Sequence, residues 1–193
     1  MTGSDFDARS EPVAFSPPDP RASKSAWRRW LRARRRTLTP QARRRASDRA
    51  AQRLIDSNWL KGVDVLAMYS AMPDEAEPQA VSQWHVARGG RIAFPRVEGD
   101  RLRWFLASIE TLRPQPPWSI LEPDPLIHSE ISPNQVDAWI VPGLGFTQDG
   151  LRIGYGRGYY DRALAASTST LKIGFAFSIQ CVAKLPTASH DQR

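Results

Sequence analysis

The chain has 193 residues, 41% of them hydrophobic, which suits one domain with a real core, and its net charge is +7. No apolar run approaches the ~20 residues of a membrane-spanning helix, and the opening stretch carries Asp5, Asp7, Glu11 and Asp19 without the apolar centre of a secretory signal. Cys181 is the only cysteine, which excludes a disulfide framework and a Cys-rich zinc site within one chain and makes the cytoplasm the expected compartment.

Pro12, Pro17, Pro18 and Pro20 make residues 1–22 read as a disordered tail, leaving 23–193 as one domain. Lys24 to Arg36 reads as a helix, with Ala26, Trp27, Trp30, Leu31 and Ala33 as its apolar positions. Thr39-Pro40 is an N-cap and first-turn pair for a second helix running to about Asp56. Between Lys24 and Arg53 twelve cations face only Asp48, so this segment carries +11 and the remainder −4. Such asymmetry points to a polyanionic partner: nucleic acid, or a small phosphorylated or carboxylated ligand.

Val63 to Met68 is a short apolar run of the kind found in buried strands. Pro78 opens a helix to about Arg88, and Gly89-Gly90 ends it. Arg91 to Phe94 and Leu102 to Leu106 read as strands. Arg113 to Pro133 contains prolines at 114, 116, 117, 123 and 125, and is expected to wrap over the surface without regular structure. Ala138 to Val141 is a strand, followed by a Gly-rich loop, a helix from about Gly158 to Ala166, and a last strand over Lys172 to Phe177. Alternating strands and helices predict a three-layer α/β domain with a largely parallel central sheet, whose ligands sit at the carboxyl ends of the strands.

The Gly-rich loop carries the chemistry. Glycines at 143, 145, 150, 154, 156 and 158 let the backbone approach a ligand closely, and their amides at a helix entry can cradle an anion. Arg152 and Arg157 add charge-assisted donors suited to phosphate oxygens. Asp161 offers the hard oxygen that Mg²⁺ prefers. The loop reads as a nucleotide-phosphate site. It is neither a Walker A loop, lacking the Gly-Lys-Ser/Thr, nor a dinucleotide fingerprint, since position 159 is Tyr. A purely structural alternative makes it a strand-to-helix turn in which Tyr159 and Tyr160 pack and Asp161 caps the helix or pairs with Arg162.

Pro142-Gly-Leu-Gly-Phe146, then Gly150, Arg152, Gly154, Gly156 and Gly158-Tyr-Tyr-Asp161, resembles the signature of the 5-formyltetrahydrofolate cyclo-ligase family. Lys24-x-x-x-Arg28, Ser70 with Asp74-Glu75, and Gly174 to Gln180 through Leu185-Pro186 to His190-Asp191 resemble further segments of that family in the same order. Pro78 and Arg157 depart from it, the first standing at a usual threonine and the second at a usual glycine or lysine.

The resemblance implies an ATP-dependent enzyme that closes 5-formyltetrahydrofolate to 5,10-methenyltetrahydrofolate. In the implied mechanism the formyl oxygen attacks the γ-phosphate of ATP, nitrogen-10 attacks the activated carbon, and phosphate leaves. The resemblance places ATP on Lys24, Ser25, Ala26, Trp27 and Arg28 and on Arg152, Ile153, Gly154, Tyr155, Gly156, Arg157, Gly158, Tyr159 and Tyr160. It places the folate on Ser70, Glu75, Trp118, Tyr155 and Tyr159, Mg²⁺ on Asp161 and Asp191, and the chemistry on Arg157, Tyr159 and Tyr160. It implies a monomer with no nucleic-acid or membrane partner.

Each assignment has a plainer competitor. Asp74, Glu75 and Glu77 could be acids favoured at a helix N-terminus. Lys24 and Arg28 lie one helical turn apart and could be a solvated basic face, as Arg43, Arg44 and Arg45 are expected to be. Trp118 could stack on a folate ring or plug the core beneath the Pro-rich stretch. Two other functions compete with the cyclo-ligase: a nucleic-acid module on the basic segment, with Trp27, Trp30 and Trp59 as stacking residues, and an ATP-dependent enzyme acting on another substrate.

Overall fold

The computed structural model describes residues 16–116, 119–167 and 171–186. Helix α1 spans Lys24–Arg36 and α2 spans Pro40–Asp56. Both start on side-chain caps: the Ser23 hydroxyl accepts from the Ala26 amide, and that of Thr39 from the Ala42 amide. Helix α3 is Gln79–Ala87, and the amides of Gly89 and Gly90 donate back to the carbonyls of Val86 and His85. Gly89 adopts φ 88°, the left-handed conformation that such an ending needs. Gly90 is demanded by space instead, because a Cβ there would lie 2.2 Å from Nε2 of the buried His85.

The strands are β1 (Val65–Ala67), β2 (Arg91–Glu98), β3 (Arg101–Leu106), β4 (Arg113–Gln115), β5 (Ile120–Glu122), β6 (Ser129–Ile131), β7 (Ala138–Val141), β8 (Gly145–Phe146), β9 (Arg152–Ile153) and β10 (Leu171–Gly174). A fourth helix, α4, spans Tyr159–Ala165 between β9 and β10. The central sheet has the order β10-β7-β1-β2-β3-β6. Its β10-β7, β7-β1 and β1-β2 pairs are parallel; β3 runs antiparallel to both β2 and β6.

Alternate residues of each strand face opposite sides, and the two sides have different covers. Leu66, Met68, Ile92, Phe94, Ala138 and Ile140 pack with Ala51 and Leu54 of α2 and Val81 of α3. Val65, Ala67, Ala93, Trp139 and Val141 pack with Ala163 and Leu164 of α4. The expected three layers are therefore present in one α/β domain. Helix α1 lies at one end, where Trp27 and Leu31 pack on Leu144, Ile153 and Leu185 around the β8–β9 hairpin.

The proline-rich stretch departs from expectation. Arg113 to Gln115 pairs with Ile120 to Glu122, and Ser129 to Ile131 joins the central sheet against Trp104 to Leu106. Pro114 is tolerated because both strands of a two-stranded ribbon are edges, where a missing N–H costs little. Pro95 sits inside β2, beyond Ala93, where pairing with β1 has already ended. Val63 and Asp64 precede β1, and Phe175 to Phe177 follow β10, because the pairing stops there.

Candidate active site

A cleft of about 1070 Å³ opens at the carboxyl ends of β1 and β7, where Tyr69, Ser70 and Pro142 line it. Its basic wall comes from α1. Lys24, Arg28, Arg32 and Arg35 are spaced four, four and three residues apart, so they share one helix face, and all four line the cleft. Arg28 Nε donates to the Gly154 carbonyl at 2.9 Å and ties the helix to the Gly-rich loop. At Gly156 φ is 106°, and a Cβ would stand 3.3 Å from Arg28 Cζ.

The loop follows β9. Arg152 Nη1 donates to the Pro142 carbonyl at 3.1 Å, and Nη2 makes a close ion pair with Asp161 Oδ1. Asp161 therefore neither caps α4 nor pairs with Arg162. The N-cap position is Gly158, without a side-chain cap, and Arg162 donates instead to the carbonyls of Asp100 and Arg157. The Tyr159 hydroxyl donates to the Gly99 carbonyl at 3.2 Å, in the β2–β3 turn. The Tyr160 ring lies edge-on to Trp104, and its hydroxyl has no partner among the described residues. Burial first, and then the charge of Glu75, push the Tyr160 hydroxyl well above the ordinary phenol range.

The opposite wall is acidic and connected. Glu75 is buried, 8% exposed, with Oε2 accepting from the Met72 amide at 2.9 Å and Oε1 accepting from the Tyr155 hydroxyl. Burial pushes its carboxyl above the usual range, and the Tyr155 and Met72 hydrogen bonds and the Arg35 charge work against that. Arg35 donates from Nη1 to the Tyr155 oxygen at 2.6 Å and from Nε and Nη2 to Asp74 Oδ2 at 3.2 and 2.8 Å. Burial opposes the charge of Arg35, and Tyr155 and Asp74 outweigh it. Pro95, Val97, Leu102, Ile120 and Leu121 add apolar lining to the same cleft.

The structure brings together in one cleft Lys24, Arg28, Ser70, Glu75, Arg152, Ile153, Gly154, Tyr155, Gly156, Arg157, Gly158, Tyr159, Tyr160 and Asp161. Ser25, Ala26 and Trp27 are not among its lining. Ser25 is exposed and hydrogen-bonded to Ser23, and the Trp27 ring is buried under α1 with Nε1 donating to the Asp19 carbonyl. The helical period turns only Ala26 to the far side of α1 from Lys24 and Arg28, whereas Trp27, three residues from Lys24, is taken up by the core with Leu144 and Ile153. Trp118 and Asp191 lie outside the described residues.

Of the lining residues not singled out from sequence, two are charged and buried, Arg35 and Glu122. Arg35 carried one signal, its i+8 and i+4 spacing from the buried Trp27 and Leu31, which puts an arginine in register with an apolar stripe. Glu122 carried none. It is buried on β5, its Oε1 accepts from the Val97 amide at 3.3 Å, and burial raises its carboxyl.

A sequence model of the 5-formyltetrahydrofolate cyclo-ligase family matches residues 20–193. The chain belongs to that family. A mouse relative, 5-formyltetrahydrofolate cyclo-ligase, is 28% identical over 185 residues, which cover 89% of this chain and 91% of the relative. The relative of the same description from Escherichia coli (strain K12) is 25% identical over 166 residues, or 83% and 91% of the two chains. The solved 5,10-methenyltetrahydrofolate synthetase of Aquifex aeolicus superposes with a TM-score of 0.75 at 28% identity, covering 88% of this chain and 85% of that one. Family membership, the shared fold and the cleft at the strand ends agree with one another.

Proposed function

We propose that this chain is a 5-formyltetrahydrofolate cyclo-ligase that closes 5-formyltetrahydrofolate to 5,10-methenyltetrahydrofolate at the expense of ATP. The observation that carries the residue assignments is a single cleft lined both by a basic helix face with the Gly-rich loop and by a buried, hydrogen-bonded carboxylate with apolar side chains. A triphosphate suits the first and a flat, N–H-bearing ring suits the second.

Phosphoryl transfer needs alignment and charge neutralisation more than a protein nucleophile. Lys24, Arg28, Arg152 and Arg157, with the amides of the Gly-rich loop, hold the triphosphate. Ser70, Glu75 and Tyr155 hold the folate, with Glu75 accepting from ring N–H groups. Tyr159 and Tyr160 are the donors to the transferring group in this reading: the Tyr159 hydroxyl meets the Gly99 carbonyl, and that of Tyr160 is buried without a hydrogen-bond partner among the described residues.

The donor set fits a Mg²⁺ ion that arrives with the nucleotide. Such an ion takes one or two carboxylates and fills its remaining positions with phosphate oxygens and water. Asp161 lines the cleft with one oxygen paired to Arg152 and no hydrogen bond on the other among the described residues. Asp161, with Asp191 from the C-terminal segment, would hold the ion. Bound there it neutralises phosphate charge. In this reading the enzyme acts as a monomer, and a lone cysteine fits the cytoplasm.

The test is direct. Purified full-length protein mixed with 5-formyltetrahydrofolate and MgATP is expected to give a near-ultraviolet absorbance rise that requires both substrates. No rise from folded protein would refute the reading.

A further inference from the structure

The Tyr155 hydroxyl ties the Gly-rich loop to the acidic wall of the cleft. Tyr155 belongs to the Gly-rich loop, three residues beyond Arg152, yet its hydroxyl donates to Oε1 of Glu75, eighty residues away in sequence. The Tyr155 hydroxyl oxygen in turn accepts from Arg35 Nη1 at 2.6 Å. Arg35 Nη1 itself stands 3.9 Å from Glu75 Oε1, beyond hydrogen-bond distance, so the guanidinium bonds to the carboxylate only through Tyr155. Arg35 is held rigidly for this. It is 2% exposed, and its Nε and Nη2 are both anchored on Asp74.

We propose that Arg35 is a positioning residue that acts through Tyr155, fixing the direction of the Tyr155 hydroxyl so that Glu75 is held as an ionised acceptor in one orientation for the reduced folate. The proposal rests on the reading of Glu75 as the folate-binding carboxylate. A hydroxyl whose oxygen already accepts from a cation is polarised toward its own acceptor, so the chain Arg35–Tyr155–Glu75 strengthens its last bond.

The Met72 amide also donates to Glu75 Oε2 at 2.9 Å and favours the ionised form, but it is a neutral donor on the same segment and leaves Oε1 to Tyr155. Asp74 and Glu77 on its own segment are acids. Tyr69 from the end of β1 donates to the Ala76 carbonyl at 2.6 Å, and Tyr160 from α4 is neutral. Among the described residues, Arg35 from α1 is the cation that opposes the burial of the Glu75 charge. Two neighbours on the same helix, Arg34 and Arg36, are only half-buried and exposed, so the burial of Arg35 is specific to its position.

The test uses the full chain as wild type, Tyr155→Phe, Glu75→Gln and the charge-paired double variant Arg35→Gln/Asp74→Asn. Tyr155→Phe keeps the ring and removes only the relay atom, so it remains informative if the Arg35 variant fails to fold. Carbon-13 NMR of the glutamate carboxyls, with Glu75→Gln identifying the signal, follows Glu75 in unliganded protein. Steady-state kinetics give the KM for each substrate and the pH profile of kcat/KM for the folate. In Tyr155→Phe, Glu75 is expected to titrate at higher pH than in wild type, and the acid limb of the folate profile should move up with it. The folate KM should rise about ten- to a hundredfold, with the ATP KM little changed. Glu75 titrating alike in wild type and Tyr155→Phe, or an equal rise in both KM values, would overturn the proposal. An unchanged folate KM in Glu75→Gln would overturn the reading beneath it. The NMR titration needs no turnover, so it separates that failure from a failure of the relay itself.

Discussion

Glu75 has to be charged where its surroundings favour the neutral acid, and that conflict has a measurable sign. Its folded-state carboxyl lies above the usual range, chiefly because it is buried. The native state therefore binds a proton more readily than the unfolded chain. The associated stability is present below the ordinary carboxylate range and is lost as pH rises through the raised value. Glu75→Gln removes the titration. Its melting temperature relative to wild type is expected to be higher at about pH 8 than at about pH 5, read by calorimetry. A difference that is flat or falls with pH would show that Glu75 is not held above its ordinary range. Asp161 poses the opposite case. Its side chain is 54% exposed and its partner is Arg152, a type of pair worth about 0–1 kcal/mol. Asp161→Asn should melt close to wild type. Its turnover should fall at least ~100-fold, or about 2.7 kcal/mol of transition-state stabilisation, and excess Mg²⁺ should restore part of it. Retention of most of the activity at limiting Mg²⁺ would leave Asp161 as a partner for Arg152 alone.

Helix α1 is the element that the site depends on most. One face supplies Lys24, Arg28, Arg32 and Arg35 to the cleft, while Trp27 and Leu31 hold the helix on Leu144 and Ile153. Leu31 is fully buried, and a Cβ on Gly145 of β8 would lie 2.7 Å from its Cδ1, so helix and hairpin are in close contact. Leu31→Ala is expected to cost about 2–5 kcal/mol in urea unfolding. Because the helix positions both Arg28 and Arg35, the KM values for ATP and folate should rise together, unlike the folate-specific effect of Tyr155→Phe. A destabilised variant with both KM values unchanged would show that the cleft tolerates movement of α1.

At the scale of the whole molecule, the cleft is assembled from α1, the segment after β1, the β2–β3 hairpin, β5 and the loop into α4. No one of these contains a site, so ligands recognise only the folded chain and must stabilise it. A non-hydrolysable ATP analogue with Mg²⁺ at a hundredfold excess over its Kd adds about 2.7 kcal/mol, and a protein of this size gains about 2–4 °C per kcal/mol. The melting temperature should rise accordingly and with ligand concentration. No shift at saturating nucleotide would contradict a nucleotide site in this cleft. The charge asymmetry also resolves at this scale. Of the twelve cations between Lys24 and Arg53, Lys24, Arg28, Arg32, Arg35 and Arg36 line the cleft, while Arg44, Arg45, Arg49 and Arg53 on α2 face solvent.

What the sequence determined by itself was local or periodic. The ends of α1 and α2 follow from contacts within three or four residues of Ser23 and Thr39, and those contacts exist wherever the segment folds. The alternation of strands and helices was legible for the same reason, and the Gly-rich loop was legible because its residues are contiguous. Tertiary structure decided the rest. The pairing of Trp104 with Ile131, through a stretch whose prolines argued against strands, depends on which edge happens to be adjacent. The burial of Arg35 amid a run of arginines, and the meeting of Tyr155 with Glu75, depend on how α1 and the loop are set against the end of β1. Caps and periods are properties of a chain with its near neighbours. Burial, proton affinity and hydrogen bonds between remote segments are properties of a place, and only the folded chain creates the place.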